Sequence, residues 1–168
     1  ISELLATENS VLLHGYTSAQ GDLGVRTAIS ESIRKRFGVD GITPNHIYMT
    51  CGAAASLSIC LKAVMEEGAD DECIVFAPFF TEYRVFVERT GAKVVSVLSD
   101  TQTFQPNFEA LEAAITEKTA AIIVNSPNNP TGKIYSKAEL EAVVLDKTKL
   151  ARDPSAHLTC KRVDHGGS

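Results

Sequence analysis

The sequence predicts an α/β fold in which a mostly parallel sheet is covered by helices on both faces. Short apolar segments of strand length alternate along the chain with segments whose apolar residues recur every three or four positions. That alternation is typical of successive βα units and a parallel sheet. The composition agrees, because 44% of the 168 residues are hydrophobic and 22% are charged, as in a globular domain with a sizeable core.

The N-terminal third predicts one helix, one strand and the start of a second helix. Apolar residues recur every fourth position over residues 26–37, which indicates a helix with one apolar face, and Gly38 ends it. Residues 46–50 predict a short strand. A run of small residues at 51–56 then leads into a second helix.

The remainder repeats the same alternation. Strands are predicted at 73–77, 93–98 and 120–124, which makes four strands in all. A helix at 81–90 separates the first two of these, and Asn107 is the predicted N-cap of the helix before the last. The helical pattern that opens at the Ser136 capping box fails soon afterwards, so no further strand is predicted after it.

These patterns divide the chain into three parts. Residues 1–45 form an N-terminal segment with the first helix, and residues 46–145 carry the strand and helix alternation. Residues 146–168 have no sustained period and end in Gly-Gly-Ser, so a disordered or non-native tail is expected there. The chain begins at Ile1 rather than at a methionine, which favours a piece of a longer protein.

Charge and cysteine usage exclude several classes of protein. The 16 Lys and Arg residues are scattered and outnumbered by 21 Asp and Glu residues, which argues against a nucleic-acid partner. The apolar runs are too short to span a membrane. Four cysteines without a CxxC pair favour reduced thiols in the cytoplasm over a disulfide framework or a metal site.

The first candidate site is the small-residue turn at 50–56, between a predicted strand and a predicted helix. Gly52, Ala53 and Ala54 leave backbone N–H groups open at a helix N-terminus, where the helix dipole favours an anion such as phosphate. Close packing of the helix on the sheet is the alternative interpretation of the same small residues.

Two further candidates follow predicted strands, at the edge where open α/β sheets bind ligands. Phe79 and Phe80 end one strand and could stack on a planar ring, although core packing is the commoner role of such residues. Residues 125–132 follow another strand, and Asn129 offers both a donor and an acceptor. Asn-Pro and Thr-Gly also occur in ordinary turns.

Taken in order, these motifs resemble those of the class I and II aminotransferases, the fold-type-I enzymes that use pyridoxal 5′-phosphate (PLP). The resemblance is to the bacterial aspartate and aromatic branch and covers roughly residues 1–145. Four blocks carry it: Tyr16 with Gly21 and Arg26; Gly52-Ala53-Ala54; Pro78-Phe79-Phe80; and Asn128-Asn129-Pro130-Thr131-Gly132.

The resemblance implies roles for five cofactor-binding residues. Gly52, Ala53 and Ala54 match the turn that holds the PLP phosphate, here without a polar side chain. Phe80 matches the aromatic residue that stacks on the pyridine ring, usually Trp or Tyr in relatives. Asn129 matches the asparagine that hydrogen-bonds the phenolic oxygen of PLP.

The resemblance also implies a homodimer and a reaction. Tyr16 matches a tyrosine that reaches the cofactor phosphate of the neighbouring subunit. The implied reaction is transamination, in which an amino group passes from an amino acid to PLP and then to a 2-keto acid.

The family residues that follow Asn-Pro-Thr-Gly have no match in this sequence. They are an aspartate for the pyridine nitrogen, a tyrosine, the Schiff-base lysine and an arginine for the substrate carboxylate. Lys137 is better explained as part of a helix start than as the catalytic lysine, so no catalytic residue is assigned. We therefore expect a truncated or frame-shifted aminotransferase fragment that is inactive on its own.

The same motifs leave alternatives to an aminotransferase. A PLP-dependent C–S lyase or a synthase of the same fold would share these motifs. A non-catalytic α/β domain could use the turn for another anion, or its exposed sheet edge for a partner. A dinucleotide-binding domain is disfavoured, because Gly52-Ala53-Ala54 is not a GxGxxG motif and no acidic residue ends the next strand.

Overall fold

The computed structural model describes residues 2–7 and 15–145. The chain forms two compact units, residues 1–53 and residues 54–168. The predicted tail at 146–168 lies outside the described residues. Within the described part, no helix is long and apolar enough to cross a membrane. The described helices are α1 (Ser2–Thr7), α2 (Leu23–Phe37), α3 (Gly52–Val64), α4 (Glu82–Glu88), α5 (Phe108–Ala114) and α6 (Lys137–Leu145), and the described strands are β1 (Glu72–Ala77), β2 (Lys93–Leu98) and β3 (Thr119–Ile123).

Helix α2 of the first unit has a side-chain cap at its start and a glycine at its end. The Asp22 carboxylate accepts a hydrogen bond from the Val25 N–H at 2.9 Å, which satisfies a first-turn donor. Gly38 ends the helix in the left-handed conformation, and its N–H donates to the Arg34 carbonyl at 3.0 Å. The predicted end at Gly38 is confirmed, whereas the helix starts three residues before the predicted Arg26.

Arg26 ties α2 to the rest of the first unit. Its buried guanidinium donates from Nε to the Gly21 carbonyl at 3.1 Å and from Nη1 to the Pro44 carbonyl at 2.7 Å. Gly21 also lies against Met49, whose side chain would overlap a Cβ at position 21. This close approach accounts physically for both Gly21 and Arg26 of the first sequence block.

The strand predicted at 46–50 is wrong. Residues Pro44–His46 form a 3-10 turn instead, and Ile47 after it is extended without joining a sheet. The Met49 N–H donates to the Gln20 carbonyl at 2.9 Å, and no ladder forms from it among the described residues. An apolar run of strand length therefore does not make a strand here, because it packs beside a turn rather than a neighbouring strand.

The second unit contains a three-stranded parallel sheet in the order β2-β1-β3. Central strand β1 is buried from Cys73 to Phe76, whereas edge strand β2 is partly buried or exposed at every position except the buried Val97. An almost continuous apolar run is the expected pattern for a strand covered on both faces. The three strands predicted within 73–124 are confirmed.

Helices cover both faces of this sheet, as predicted. Side chains of α3 and α4 pack on one face and side chains of α5 and α6 on the other, with alternate residues of β1 facing each. The core residues of the first face are Leu61, Met65, Cys73, Val87 and Ala92, and those of the second are Ile74, Phe76, Val97, Leu111 and Val143.

Candidate functional site

A cleft in the second unit lies at the carboxyl ends of β1 and β3. This is the edge of a parallel sheet where α/β proteins bind ligands. The two loops singled out from the sequence meet there, one following β1 and one following β3. The cleft is lined by Val75, Phe76, Phe79, Tyr83, Ile123, Asn125, Asn128 and Tyr135.

The loop after β1 is held by three aromatic rings. Tyr83 stacks on Phe79, with ring centroids 6.4 Å apart and planes 11° apart. Tyr83 also meets Phe80 in an edge contact at 5.7 Å and 83°. The Tyr83 N–H donates to the Phe80 carbonyl at 2.9 Å, which closes the turn into α4. Phe80 is only partly buried, so its ring is not a core residue of this unit.

Two adjacent asparagines in the loop after β3 differ in burial. Asn129 is exposed, whereas Asn128 is 7% exposed and is the centre of the loop's hydrogen bonds. The Asn128 Oδ1 accepts from the Thr131 hydroxyl at 2.9 Å. The Asn128 N–H donates to the Lys133 carbonyl at 2.8 Å, and the Gly132 N–H donates to the Asn128 carbonyl at 2.7 Å. Asn129 therefore lies on the open side of a loop that Asn128 closes.

Tyr135 completes this side of the cleft. Its ring is 6% exposed and meets Phe76 edge-on at 6.5 Å, and its N–H donates to the Ser126 hydroxyl at 2.9 Å. Burial raises the pKa of the Tyr135 hydroxyl, the Glu139 carboxylate adds to the rise, and a hydrogen bond with Asn128 opposes it. The phenol therefore stays neutral and available for hydrogen bonding.

Sequence reasoning did not assign a role to Tyr83, Asn128 or Tyr135. Asn128 is three residues before Thr131, a spacing at which an asparagine side chain can bond the turn that follows it. That signal was present in the sequence. The aromatic contacts of Tyr83 and Tyr135 depend on the packing of helices and loops, which no local pattern records.

The small-residue turn lies where α3 begins. Gly52 has a φ of +85°, and a Cβ there would meet open space, so its backbone conformation rather than crowding favours glycine. The Gly52 N–H bonds to the Thr50 carbonyl at 2.9 Å. Ala53 and Ala54 are exposed, and their N–H groups belong to the first turn, which has no intrahelical acceptor. The helix thus begins within the small-residue run rather than after it.

Tyr16 lies in the first unit with a fully exposed ring. Lys137, in contrast, is at the first turn of α6 in the second unit. Its side chain is 90% exposed and its Nζ is 3.5 Å from Glu141. Ser136 and Glu139 form the predicted capping box, through bonds of 2.6 Å and 3.2 Å. The Lys137 ammonium group therefore faces solvent, whereas nucleophilic lysines that bond to carbonyl groups lie in desolvated pockets.

Two of the described cysteines, Cys51 and Cys73, are free thiols. Cys51 is exposed and Cys73 is buried in the core, Cys60 is partly buried, and Cys160 lies outside the described residues. Burial raises the pKa of the Cys73 thiol to about 12, so it is a structural residue. Within residues 2–7 and 15–145, no group of three His, Cys, Asp or Glu residues could hold a metal ion.

A wider depression elsewhere in the second unit is less suited to binding. Its apolar lining residues are Pro106, Phe108 and Ile134, and its charged groups pair with each other, because Glu139 Oε1 lies 3.3 Å from Lys133 Nζ. The two loops at the carboxyl ends of β1 and β3 are the stronger candidate, because aromatic and amide side chains of both loops meet there. The narrow cleft between them, hereafter the strand-end cleft, has no room for a water molecule, and it is lined by Phe79 and Asn128 but not by Phe80 or Asn129.

Comparison with known proteins identifies the family of this chain. Residues 3–151 match the family described as Aminotransferase class I and II. The aspartate/prephenate aminotransferase of Thermus thermophilus is 36% identical over 129 residues, which cover 76% of this chain and 33% of that protein. The aspartate aminotransferase of Thermotoga maritima is 35% identical over 130 residues, which cover 77% of this chain and 34% of that protein.

Solved structures agree. An amino transferase from Eubacterium rectale superposes with a TM-score of 0.79 at 44% identity, over 90% of this chain and 38% of that one. Aspartate aminotransferase from Thermus thermophilus with maleate superposes with a TM-score of 0.77 at 32% identity, over 89% of this chain and 38% of that one. The chain spans about a third of the length of the curated relatives it matches. It belongs to the class I and II aminotransferase family.

Proposed function

We propose that this chain supplies part of the cofactor-binding domain of a PLP-dependent aminotransferase, which transfers an amino group between an amino acid and a 2-keto acid. The single observation that carries the proposal is that the loop of Phe80 and the loop of Asn129 follow neighbouring parallel strands and meet at their carboxyl ends, where Phe79 and Asn128 of the same two loops line the strand-end cleft. Family membership supports the same activity.

The residues present fit part of this cofactor. PLP has a flat aromatic ring, a phenolic oxygen and a phosphate. Phe80 offers a partly exposed ring, Asn129 an exposed amide, and Ala53 and Ala54 exposed backbone N–H groups in the first turn of a helix. These are groups that stack on a ring, hydrogen-bond a phenolate and bind a phosphate, respectively.

Each residue would act on a different part of the cofactor. Phe80 would hold the ring by its face, and the Asn129 side-chain N–H would donate to the phenolic oxygen. The N–H groups of Ala53 and Ala54 would donate to the phosphate, where the helix dipole favours negative charge. When bound, PLP supplies an electron-withdrawing ring that stabilises negative charge developing at the α-carbon of an amino acid.

We also propose that the 168-residue chain binds PLP without catalysing transamination. No lysine of this sequence matches the family's Schiff-base motif, and Lys137 faces solvent. Keto-acid formation by the purified chain, supplied with PLP and an amino-acid donor, would contradict this. So would trapping of PLP on one specific lysine by borohydride, because a trapped lysine is one that had bonded covalently to the cofactor.

Two further proposals concern assembly and location. The exposed Tyr16 ring is free to reach the cofactor phosphate of a second copy, which supports a homodimer with shared active sites in the full-length protein. The free thiols of Cys51 and Cys73 support a reducing compartment, the cytoplasm.

Titration of the purified chain with PLP tests cofactor binding. We expect saturable binding, detected by equilibrium dialysis and by circular dichroism of the cofactor band. Asn129→Ala should weaken it about tenfold through loss of a hydrogen bond to a charged oxygen, and Phe80→Leu about fivefold through loss of stacking. Asn107→Ala is a matched control. The Asn107 Oδ1 accepts from the Ala110 N–H and so caps α5, and Asn107 belongs to neither of the two loops.

Three results would contradict cofactor binding at this site. The first is no saturable binding by the unmodified chain. The second is equal binding by the Asn129 and Phe80 variants and the control. The third is displacement of PLP by inorganic phosphate with no difference in affinity between them, which would favour a general anion-binding domain. A C–S lyase or synthase would give the same binding, and only the reaction of the full-length protein distinguishes them.

A further inference from the structure

We propose that Asn128 is a positioning residue that fixes the backbone of its neighbour Asn129, with Thr131 and Tyr135 as its partners. The adjacent asparagines thus have separate roles, one binding the cofactor and one holding the binding residue in place. The part of this inference that concerns the cofactor rests on the proposed function above. The part that concerns the loop does not.

The Asn128 side chain is anchored inside the protein through its oxygen. Its Oδ1 accepts from the Thr131 hydroxyl at 2.9 Å and faces the Thr131 N–H at 3.4 Å. Its amide nitrogen is the donor left for the neighbouring Tyr135 hydroxyl, whose pKa Asn128 lowers. Turning the buried amide over would break the bonds to Thr131, which favours one orientation.

The backbone of Asn128 closes the loop as well as its side chain. Its N–H donates to the Lys133 carbonyl at 2.8 Å, and its carbonyl accepts from the Gly132 N–H at 2.7 Å. Gly132 makes the return possible with a φ of +73°, which other residues rarely adopt. The N–H and the carbonyl of Asn128 therefore both bond to residues that follow position 131, and residues 129–131 lie within the turn that these bonds close.

Asn129 lies on the exposed crest of this closed loop. Its backbone is set by the Asn128 bonds before it and by the restricted φ of Pro130 after it. Only its own side chain remains to be ordered when a ligand binds. A binding group fixed in advance loses less conformational entropy on binding, which raises affinity without adding a contact.

Tyr135 links this loop to the strand-end cleft. Its buried ring lies edge-on to Phe76 of β1, and its N–H donates to the Ser126 hydroxyl at the start of the loop. The hydroxyl that bonds Asn128 is thus held by the core of the sheet. The orientation of Asn128, and through it the loop, depends on the same core residues that form the floor of the cleft.

The test compares four variants of the full 168-residue chain: Asn128→Ala, Tyr135→Phe, Asn129→Ala and the control Asn107→Ala. Two quantities are measured for each. The first is loop order without cofactor, from hydrogen exchange of the Gly132 N–H and ¹⁵N relaxation of the Asn129 backbone. The second is the dissociation constant for PLP.

For Asn128→Ala we expect Gly132 exchange to accelerate at least about tenfold, Asn129 backbone order to fall, and PLP affinity to fall about tenfold. Tyr135→Phe keeps the ring and removes the hydroxyl, so it should shift both quantities in the same direction by a smaller factor. Asn129→Ala should weaken PLP binding and leave Gly132 exchange unchanged. Asn107→Ala should change neither.

Unchanged Gly132 exchange and unchanged Asn129 order in Asn128→Ala would overturn the inference, whether or not PLP binds. If that variant does not fold, Tyr135→Phe decides, and unchanged loop order in it overturns the inference equally. A looser loop in Asn128→Ala with unaltered PLP affinity would overturn the positioning role. Absence of PLP binding in the unmodified chain, together with a looser loop in the variant, would overturn the proposed function and support the loop role alone.

Discussion

The two ends of the parallel sheet are stabilised by different kinds of polar interaction. At the amino end, the exposed carboxylate of Asp70 forms ion pairs with Lys93 at the start of β2 and Lys118 just before β3. At the carboxyl end, the buried amide of Asn128 accepts from the Thr131 hydroxyl and lies beside the Tyr135 hydroxyl. These two interactions contrast exposed charges with a buried neutral amide.

This difference bears on where a binding site can form. Exposed ion pairs are screened by solvent and salt, and they hold flexible side chains only loosely. A buried neutral polar group destabilises the fold when it has no hydrogen-bond partner. Its bonds therefore favour the one geometry in which the partners are in place. The carboxyl end thus has the fixed geometry that a cofactor site needs, while the amino end joins loops without fixing them closely.

Asp71 tests whether burial or location at one end of the sheet decides how much a polar residue stabilises the fold, because it is buried but lies at the amino end. Its carboxylate accepts from the Glu66 N–H at 2.7 Å, one residue after the exposed Asp70. If burial decides the effect, Asp71→Ala should lower the free energy of unfolding by roughly 2–3 kcal/mol. Urea unfolding measures it, with Asp71→Asn as the variant that keeps an acceptor oxygen. Equal stability of Asp71→Ala and the unmodified chain would show that burial is not what matters.

Asn128→Ala tests the carboxyl end by the same measurement. It removes the partner of the buried Tyr135 hydroxyl and of Thr131, so we expect a loss of roughly 1–2 kcal/mol in the free energy of unfolding. Tyr135→Phe removes the orphaned hydroxyl as well, and the double variant should therefore lose less than the two single losses combined. Strict additivity of the two losses would mean that Asn128 and Tyr135 do not interact.

The sequence predicted the sheet and its helices well, because a parallel sheet covered on both faces reads as short apolar strands between amphipathic helices. The same rule failed at residues 46–50, where an apolar run packs beside a turn at Gln20 instead of entering the sheet. Strand length and apolar content do not record whether a neighbouring strand is present.

At the candidate site, the sequence predicted the two loops but not which residues within each loop are buried. Asn128 and Asn129 are the same residue type in adjacent positions, and only the fold determines which of them is buried. Tyr83 was likewise unassigned, although it packs against both Phe79 and Phe80. Adjacent residues in a loop have no period from which burial can be inferred, so such roles depend on tertiary contacts.

Asp70 is expected to have the smallest effect on the free energy of unfolding, and this effect appears at acid pH. Hydrogen bonds from Lys118 and then Lys93 lower the pKa of this carboxyl from 3.8 to about 2. A lowered pKa in the folded state means that the stability it contributes is complete above the unfolded pKa and is lost as the pH falls toward 2. The unmodified chain should therefore lose slightly more stability than Asp70→Asn between about pH 5 and pH 2.5.

The comparison with Asp70→Asn is needed because Asp70 is not alone in having a lowered pKa. Bonds from the Thr103 N–H and hydroxyl also lower the pKa of Asp100. Subtracting the acid slope of Asp70→Asn from that of the unmodified chain removes the contribution of Asp100, which both proteins share. Because Asp70 is exposed, the remaining difference should shrink further in high salt. A difference that is large and independent of salt would mean that the Asp70 ion pairs are shielded from water, and the contrast between the two ends of the sheet would then fail.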